Sequence, residues 1–409
     1  METMNCLCST QSLARKLTLL TLALVLSPAC GNLSKRRNEN APAANTSAPT
    51  ESGVSVGAQA DAPAPAPAPA ARVFKGAIAY KYPIQMSLRR GDGDALTGSY
   101  FYEGKGGEIT LRGTLDAKGN LTLNEYDGDK QTGTFKGRWR EHSYDPAATL
   151  DGDWTKAGAR ESEGFYLVEQ HVAPGLPFRL ARQTMSEQNK ERKYTFEAAY
   201  PQLEGASGAG PEAFNRHVRN LVTKAVADFK QGAGADPNET DYSPDAAEDT
   251  LNVTYNTRLA SEHFISVEFE FEDYEHGAAH PGHSFEVVNF DLRSGQPLKL
   301  ADLFKPGANY LPAIAARAKE ALRLWNKDSA TEYGDGTPYL NEPDFDGGAD
   351  ATPENYGIWT LTPKGLTIRF DYYQVGPYAA GAPAIVIPFS DLNDLLRPDG
   401  PAAALSLKQ

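Results

Sequence analysis

Three of the protein's seven histidines fall within eight positions, in His276-Gly-Ala-Ala-His280-Pro-Gly-His283. Imidazoles this close can ligate zinc or a softer divalent ion, and a metal-dependent hydrolase built on His276, His280 and His283 is one reading. A shaped turn between two strands is the other. Gly277, Pro281 and Gly282 break the helix on which an H-x3-H pair would present both rings to one metal, so no metal ligands are assigned. Just upstream, Ile265-Ser-Val-Glu268-Phe-Glu270-Phe-Glu272 alternates as a strand does, with apolar residues on one face and Glu268, Glu270 and Glu272 on the other. Carboxylates on alternate positions stand about 6.6 Å apart. No Lys or Arg occurs between Arg258 and Arg293 to neutralise them, so the row could meet a basic protein surface or form the solvated face of a sheet. Glycoside hydrolysis needs two carboxylates across a cleft, which one open strand does not supply.

A third cluster is Phe370-Asp-Tyr372-Tyr373-Gln374-Val-Gly-Pro377-Tyr378, a strand that breaks into a Gly-Pro loop. Rigid amphipathic tyrosines of this kind suit interfaces. Core packing accounts for Phe370 and Tyr372, which leaves Tyr373, Gln374 and an exposed Tyr378, with His280, as ligand-binding residues. The chain has no Walker loop, no strand-borne G-x-G-x-x-G, no G-x-S-x-G elbow and no H-E-x-x-H. No catalytic residue and no cofactor is therefore expected.

At the N-terminus, Arg15 and Lys16 precede an apolar run over 17–26, and Ser27, Pro28 and Ala29 lead to Cys30. This is the layout of a secretory signal, too short to span a bilayer comfortably. It resembles a bacterial lipobox, in which the cysteine after the cut is acylated, although Leu26 lies one position further from Cys30 than usual. The expectation is an exported lipoprotein, palmitoylated at Cys30 and held at the envelope membrane. Cys6 and Cys8 would leave with the signal, so the folded parts carry no disulfide.

The elements that position these residues fall into blocks. Residues 1–29 read as signal peptide, and 30–72 as a disordered tether whose Ala-Pro alternation favours extended polyproline II. Residues 73–182 show short alternating runs separated by Gly106-Gly107, Lys118-Gly119-Asn120 and Asp127-Gly128-Asp129, the pattern of antiparallel strands and tight turns. Glycine recurs two places before an aromatic, at Gly98 and Tyr100, Gly133 and Phe135, Gly137 and Trp139, and Gly152 and Trp154. Such glycines relieve crowding where a sheet curls, so a small meander, either curled or closed into a barrel, is expected, its interior filled by side chains or holding a ligand.

Residues 193–405 mix helical and strand periods. Phe214, Val218, Leu221, Val222 and Phe229 make one helical stripe, and Leu311, Ile314, Ala318, Leu322 and Trp325 another. Seven strands surround them, and a long loop is read between 327 and 355. The expected class is α+β: the β module, then an antiparallel sheet with two helices packed on one face. The net charge of −13 argues against nucleic acid and anionic lipid surfaces as partners.

Residues 194–396 resemble the extracellular domain family of RsiV, a lysozyme-sensing anti-sigma factor, also found in the non-catalytic N-terminal region of the peptidoglycan deacetylase PdaC. The likeness rests on Tyr200-Pro-Gln-Leu203, Gly277-Ala-Ala-His280-Pro281, Asn289-Phe-Asp-Leu-Arg-Ser-Gly295, Leu300-Ala-Asp-Leu-Phe304, Leu361-Thr-Pro-Lys-Gly-Leu366, Tyr373-Gln-Val-Gly-Pro-Tyr-Ala-Ala-Gly381 and Ile387-Pro-Phe-Ser-Asp-Leu392. The resemblance implies an α+β fold and a binding role, with a basic protein such as c-type lysozyme as partner and a peptidoglycan-related ligand as an alternative. No counterpart of RsiV's cytoplasmic and membrane-spanning segments or of PdaC's deacetylase domain is read here, so neither activity is expected. A structural or assembly role in the envelope remains the competing reading.

Overall fold

The computed structural model describes residues 70–406 apart from positions 80, 143–144, 146, 235–247, 334–337, 342–344 and 346. Residues 1–29, read as signal peptide, Cys30, and nearly all of the segment read as tether lie outside the described residues. The first strand, β1 (Arg72–Ile78), is followed by β2 (Tyr82–Arg90), β3 (Ala95–Tyr102), β4 (Ile109–Leu115), β5 (Asn120–Asp127), β6 (Lys130–Arg140), β7 (Thr149–Lys156) and β8 (Glu163–Gln170). Each pairs antiparallel with the next, and β8 returns to β1 to close a barrel. The alternating runs around the turn signals and glycine–aromatic pairs correspond to β3 to β7, and β1, β2 and β8 are added by the structure.

Barrel curvature depends on close strand approach. Gly137 and Gly152 face each other across β6 and β7, and a Cβ on Gly137 would lie 2.0 Å from the Asp151 carbonyl oxygen. The space thus gained is filled by aromatics. Phe74, Met86, Tyr100, Phe135, Trp139 and Leu167 form a continuous core, with Tyr100 and Phe165 set edge-to-face against Phe135 at 5.4 and 5.2 Å. The interior is therefore packed rather than a ligand cavity. At its edge the buried Glu125 carboxylate accepts hydrogen bonds from Tyr100 Oη (2.8 Å), Thr132 Oγ1 (2.6 Å) and Trp154 Nε1 (2.8 Å).

The chain then builds a six-stranded sheet from β9 (Arg179–Asn189), β10 (Tyr194–Glu204), β11 (Asp249–Ala260), β12 (Phe264–Tyr274), β13 (Gly282–Asp291) and β14 (Gln296–Pro297), in the order β14-β13-β12-β11-β10-β9. Strand β9 begins inside the range read as barrel module. Helix α1 (Ala209–Gly232) crosses from β10 to β11, which makes that pair parallel. It buries Phe214, Val218, Val222 and Val226 with Phe196, Val253, Val267, Phe269 and Val288.

The second apolar stripe goes elsewhere. Helix α2 (Leu311–Tyr333) packs Ile314, Ala318 and Leu322 with Ile368, Ile385 and Ile387 of a separate three-stranded sheet, β15 (Trp359–Leu361), β16 (Gly365–Arg369) and β17 (Ala384–Pro388). A short α3 (Pro401–Ser406) adds Ala402 and Leu405 to this core. The α+β class holds, but the helices do not share one face of one antiparallel sheet. An apolar stripe reports that a helix has a buried side, not which sheet buries it.

The small sheet docks on the face of β12 turned away from α1. Ile265 and Val267 join the α1 core, whereas Phe264 joins the α2 core, and Ser266 Oγ donates to Asn289 Oδ1 and accepts from Leu361 N at 3.0 Å. Asn289 Nδ2 in turn donates to the Trp359 carbonyl at 2.7 Å. Next along the strand, Glu268 is only 3% exposed and its Oε1 accepts from Arg258 Nη2 and Arg369 Nη2, each at 2.8 Å. Burial alone would raise this carboxyl. The two guanidinium charges outweigh it and hold the group down to about 2.

A carboxyl depressed in the folded state stabilises the fold above its unfolded value of 4.5, and that contribution fades as pH falls from there toward about 2. Unfolding in urea at stepped pH is expected to show this loss. Glu268→Ala, which leaves the buried Arg258 and the largely covered Arg369 without their shared carboxylate, is expected to reduce stability at pH 7 by about 3–5 kcal/mol. An unchanged urea midpoint would show that the triad does not hold the two sheets together.

Candidate functional site

Strand alternation puts Glu268, Glu270 and Glu272 on one face, as expected, but their environments diverge along the strand. Glu268 lies inside the clamp just described and is not offered to a ligand, which corrects its reading as part of an open acidic row. Its neutralising charges come from Arg258 on the neighbouring strand and from Arg369, 101 positions away in sequence. Glu270 and Glu272 are half-buried, beyond the edge of the small sheet. His283, opposite Glu272 on β13, brings its Nδ1 to 3.2 Å from Glu270 and 4.0 Å from Glu272.

Over these groups lies the loop between β16 and β17. Tyr372 stacks on His283 with ring centroids 4.7 Å apart, and Tyr378 stacks on His280 at 4.1 Å. Tyr378 also reaches Tyr372 (5.0 Å) and Tyr373 (5.6 Å), and its hydroxyl donates to the Pro281 carbonyl at 3.3 Å. Phe285 continues the layer beside Tyr372, with the Arg369 guanidinium 4.6 Å above its ring. The strand-turn-strand segment and the tyrosine loop, nearly 100 positions apart, thus form one aromatic surface edged by two carboxylates.

Individual roles shift within it. Tyr378 is partly covered by His280, and the open ring is that of Tyr373, 62% exposed. Gln374 belongs to the scaffold: Nε2 donates to the carbonyls of Gly348 (2.9 Å) and Asn355 (3.1 Å), and Oε1 accepts from Asp371 N (2.9 Å). Its amide is spent on shaping the loop, so it is not a ligand group. Gly348 takes part in the same packing, because a Cβ there would meet the Gln374 carbonyl at 1.8 Å. Tyr372, Phe285 and Arg369 are members of the surface that sequence reasoning assigned to the core or passed over.

The three histidines do not converge. His276 turns to Asp249, whose Oδ1 receives the His276 backbone N–H at 2.8 Å and lies 3.0 Å from its Nδ1. Burial raises the Asp249 carboxyl, but the N–H groups of Gly234 and His276 with the His276 ring more than reverse this, so it is held low. Among the described residues no three His, Cys, Asp or Glu groups are placed to hold a metal. The histidine segment is a turn fastened at three separate points, which removes the geometric basis for the hydrolase reading.

Tyr373 adopts φ +63°, in the left-handed region that side chains with a Cβ rarely occupy. Such a backbone costs a residue with a Cβ on the order of 1 kcal/mol or more. Asn tolerates this backbone without enlarging the unfolded ensemble as glycine would. Tyr373→Asn is therefore expected to leave thermal stability unchanged or raise it by up to about 1 kcal/mol, read by calorimetry. A loss of that size would instead make the ring a structural element.

Residues 301–390 match the model of a family described as a protein of unknown function, DUF3298. The chain is 23% identical over 210 residues to peptidoglycan-N-acetylmuramic acid deacetylase PdaC of Bacillus subtilis, covering 51% of this chain and 40% of that protein. It thus spans less than half the length of that relative. Two solved DUF3298-family structures, from Bacteroides fragilis and Pseudomonas aeruginosa, are 18% and 17% identical and cover 57% and 55% of this chain. The alignments take in 99% and 97% of those chains, with TM-scores of 0.36 and 0.34. The segment similar to the DUF3298 model, residues 301–390, holds α2, the small sheet and the tyrosine loop of the aromatic surface.

Proposed function

We propose that this protein is a non-catalytic binding protein of the bacterial cell envelope, exported and anchored through an acylated Cys30. Its aromatic surface takes a basic protein, with c-type lysozyme as the sharpest form of the proposal. The observation that carries the reading is the layer of His280, His283, Tyr372 and Tyr378, topped by the exposed Tyr373 and bordered by Glu270 and Glu272. Rigid aromatics supply contact area at little entropic expense, and adjacent carboxylates steer and orient a cationic partner. The similarity to PdaC, whose name gives peptidoglycan as its substrate, supports an envelope setting and keeps a peptidoglycan-related ligand as the second form. The overall charge of −13 supports a cationic partner over an anionic one.

Titration of the purified chain with a c-type lysozyme at low ionic strength tests the specific form. Saturable binding is expected, weakening steeply as salt rises because the flanking charges are screened. Tyr373→Ala with Tyr378→Ala, and separately Glu270→Gln with Glu272→Gln, should each weaken it by about tenfold or more. Absence of binding at tens of micromolar protein would remove lysozyme as the partner.

A further inference from the structure

A cleft lies where the barrel meets the sheet. It has a volume of about 650 Å³ and opens between barrel strands β1, β2 and β8 and sheet strands β9 to β12. Its size falls in the range of small-ligand sites. The two walls are held in a fixed relation. Thr257 N donates to Gln170 Oε1 at 2.6 Å, and Ala260 N donates to the His171 carbonyl at 2.8 Å, tying the end of the barrel to β11. Deeper in, Lys75 and Arg182 approach Glu103 from opposite sides at 3.4 and 3.0 Å, and the Lys75 ammonium sits 3.5 Å from the centre of the Tyr255 ring.

The chemistry of the walls selects the ligand. Register pairs Thr195 with Thr250 and Glu197 with Asn252, and β11 continues with Thr254 and Asn256, so hydroxyl and amide groups form a row along one face. Each of these can both donate and accept. Charges balance, with Lys75, Lys81 and Arg182 against Glu103, Glu197 and Glu270, which leaves no net attraction for a polyanion. Small apolar surfaces at Ala77, Pro83 and Ala199 alternate with the polar ones, and Tyr166, 49% exposed, stands at the rim. A polyol with alternating hydroxyl edges and C–H faces matches this lining; a lipid or a nucleotide does not.

We propose that the cleft between barrel and sheet is a carbohydrate-binding site for a short uncharged glycan, with Tyr166 as the platform for a ring face and Asn252 and Thr254 as hydrogen-bonding partners of its hydroxyls. Lys75 supplies a donor at the base. Desolvation lowers its ammonium to about 8, with Arg182 repulsion acting in the same direction and Glu103 against it. Lys75 is held there by Glu103 and the Tyr255 ring, which fixes its ammonium at the floor of the cleft. The site is distinct from the tyrosine loop, and the two meet only at Glu270, which lines the cleft and holds His283.

The test is calorimetric titration of the full chain with two neutral probes, the trimer of N-acetylglucosamine and maltotriose. At least one is expected to bind with a Kd of roughly 1 mM or below. Asn252→Leu with Thr254→Val, and separately Tyr166→Ala, should weaken that binding by about tenfold with little change in melting temperature. Leu324→Ala, on the exposed side of α2, should leave it unaltered. The proposal is overturned if neither probe binds at 10-fold above about 1 mM, or if the bound probe is insensitive to both cleft variants while they remain folded. Binding of lysozyme in the same preparations reports on the tyrosine surface independently.

Discussion

The Arg258–Glu268–Arg369 cluster is the constraint on which the arrangement of the α+β region turns. It sits on the one face of the six-stranded sheet that α1 leaves uncovered, and it joins β11, β12 and β16. Removing three ionic groups from water is expensive, and apolar residues of similar volume could bind two sheets together as well or better. What an ion cluster adds is position: a shared carboxylate oxygen at 2.8 Å from two guanidiniums tolerates little sliding, whereas aliphatic contacts tolerate more. The Ser266–Asn289–Trp359 hydrogen bonds beside it work in the same direction.

That registration sets the functional surface. Arg369 ends β16, and the tyrosine loop begins at once with Phe370, buried in the α2 core. Because Arg369 is pinned to Glu268, the next residues fall over Glu270, Glu272 and His283, the following positions on the same face of β12 and β13. A single strand face therefore grades from a dry core at Phe264, through the hydrogen-bonded Ser266 and the clamped Glu268, to half-exposed carboxylates under aromatic rings. The same face continues through Asn256, Thr254 and Asn252 of β11 toward the barrel, where it becomes a wall of the cleft. One polar sheet face is shared between three coverings, and both candidate sites arise where the coverings leave gaps.

Much of this could be read in the chain beforehand. The glycine and aromatic pairs mark the barrel because a curled sheet has strong local needs: no Cβ at Gly137, where a carbonyl approaches, and a large ring to fill the interior at Trp139. Both helices announce themselves by period, as do the strands of the α+β region other than β9 and β14. His280 and Tyr378 stand out in the sequence only as separate candidates; stacking on His280 partly covers Tyr378, read from the sequence as the exposed ring, and leaves Tyr373 open. Gln374 and Glu268 look from the sequence like free polar groups, and each is consumed by partners that sequence distance hides.

Sequence by itself determined the local periods, the curling of a glycine-rich meander, and the grouping of histidines, glutamates and tyrosines into three segments, because each follows from rules acting over a few neighbouring residues. Only the tertiary structure decided which sheet each helix covers, that Glu268 is neutralised while Glu270 and Glu272 are not, and that Lys75, Arg182 and Tyr166 from separate strands line a common cleft with Asn252 and Thr254. The physical reason is that alternation specifies the face on which a side chain stands, whereas burial and pairing depend on what is packed over that face, and that is set by contacts between residues as much as a hundred positions apart.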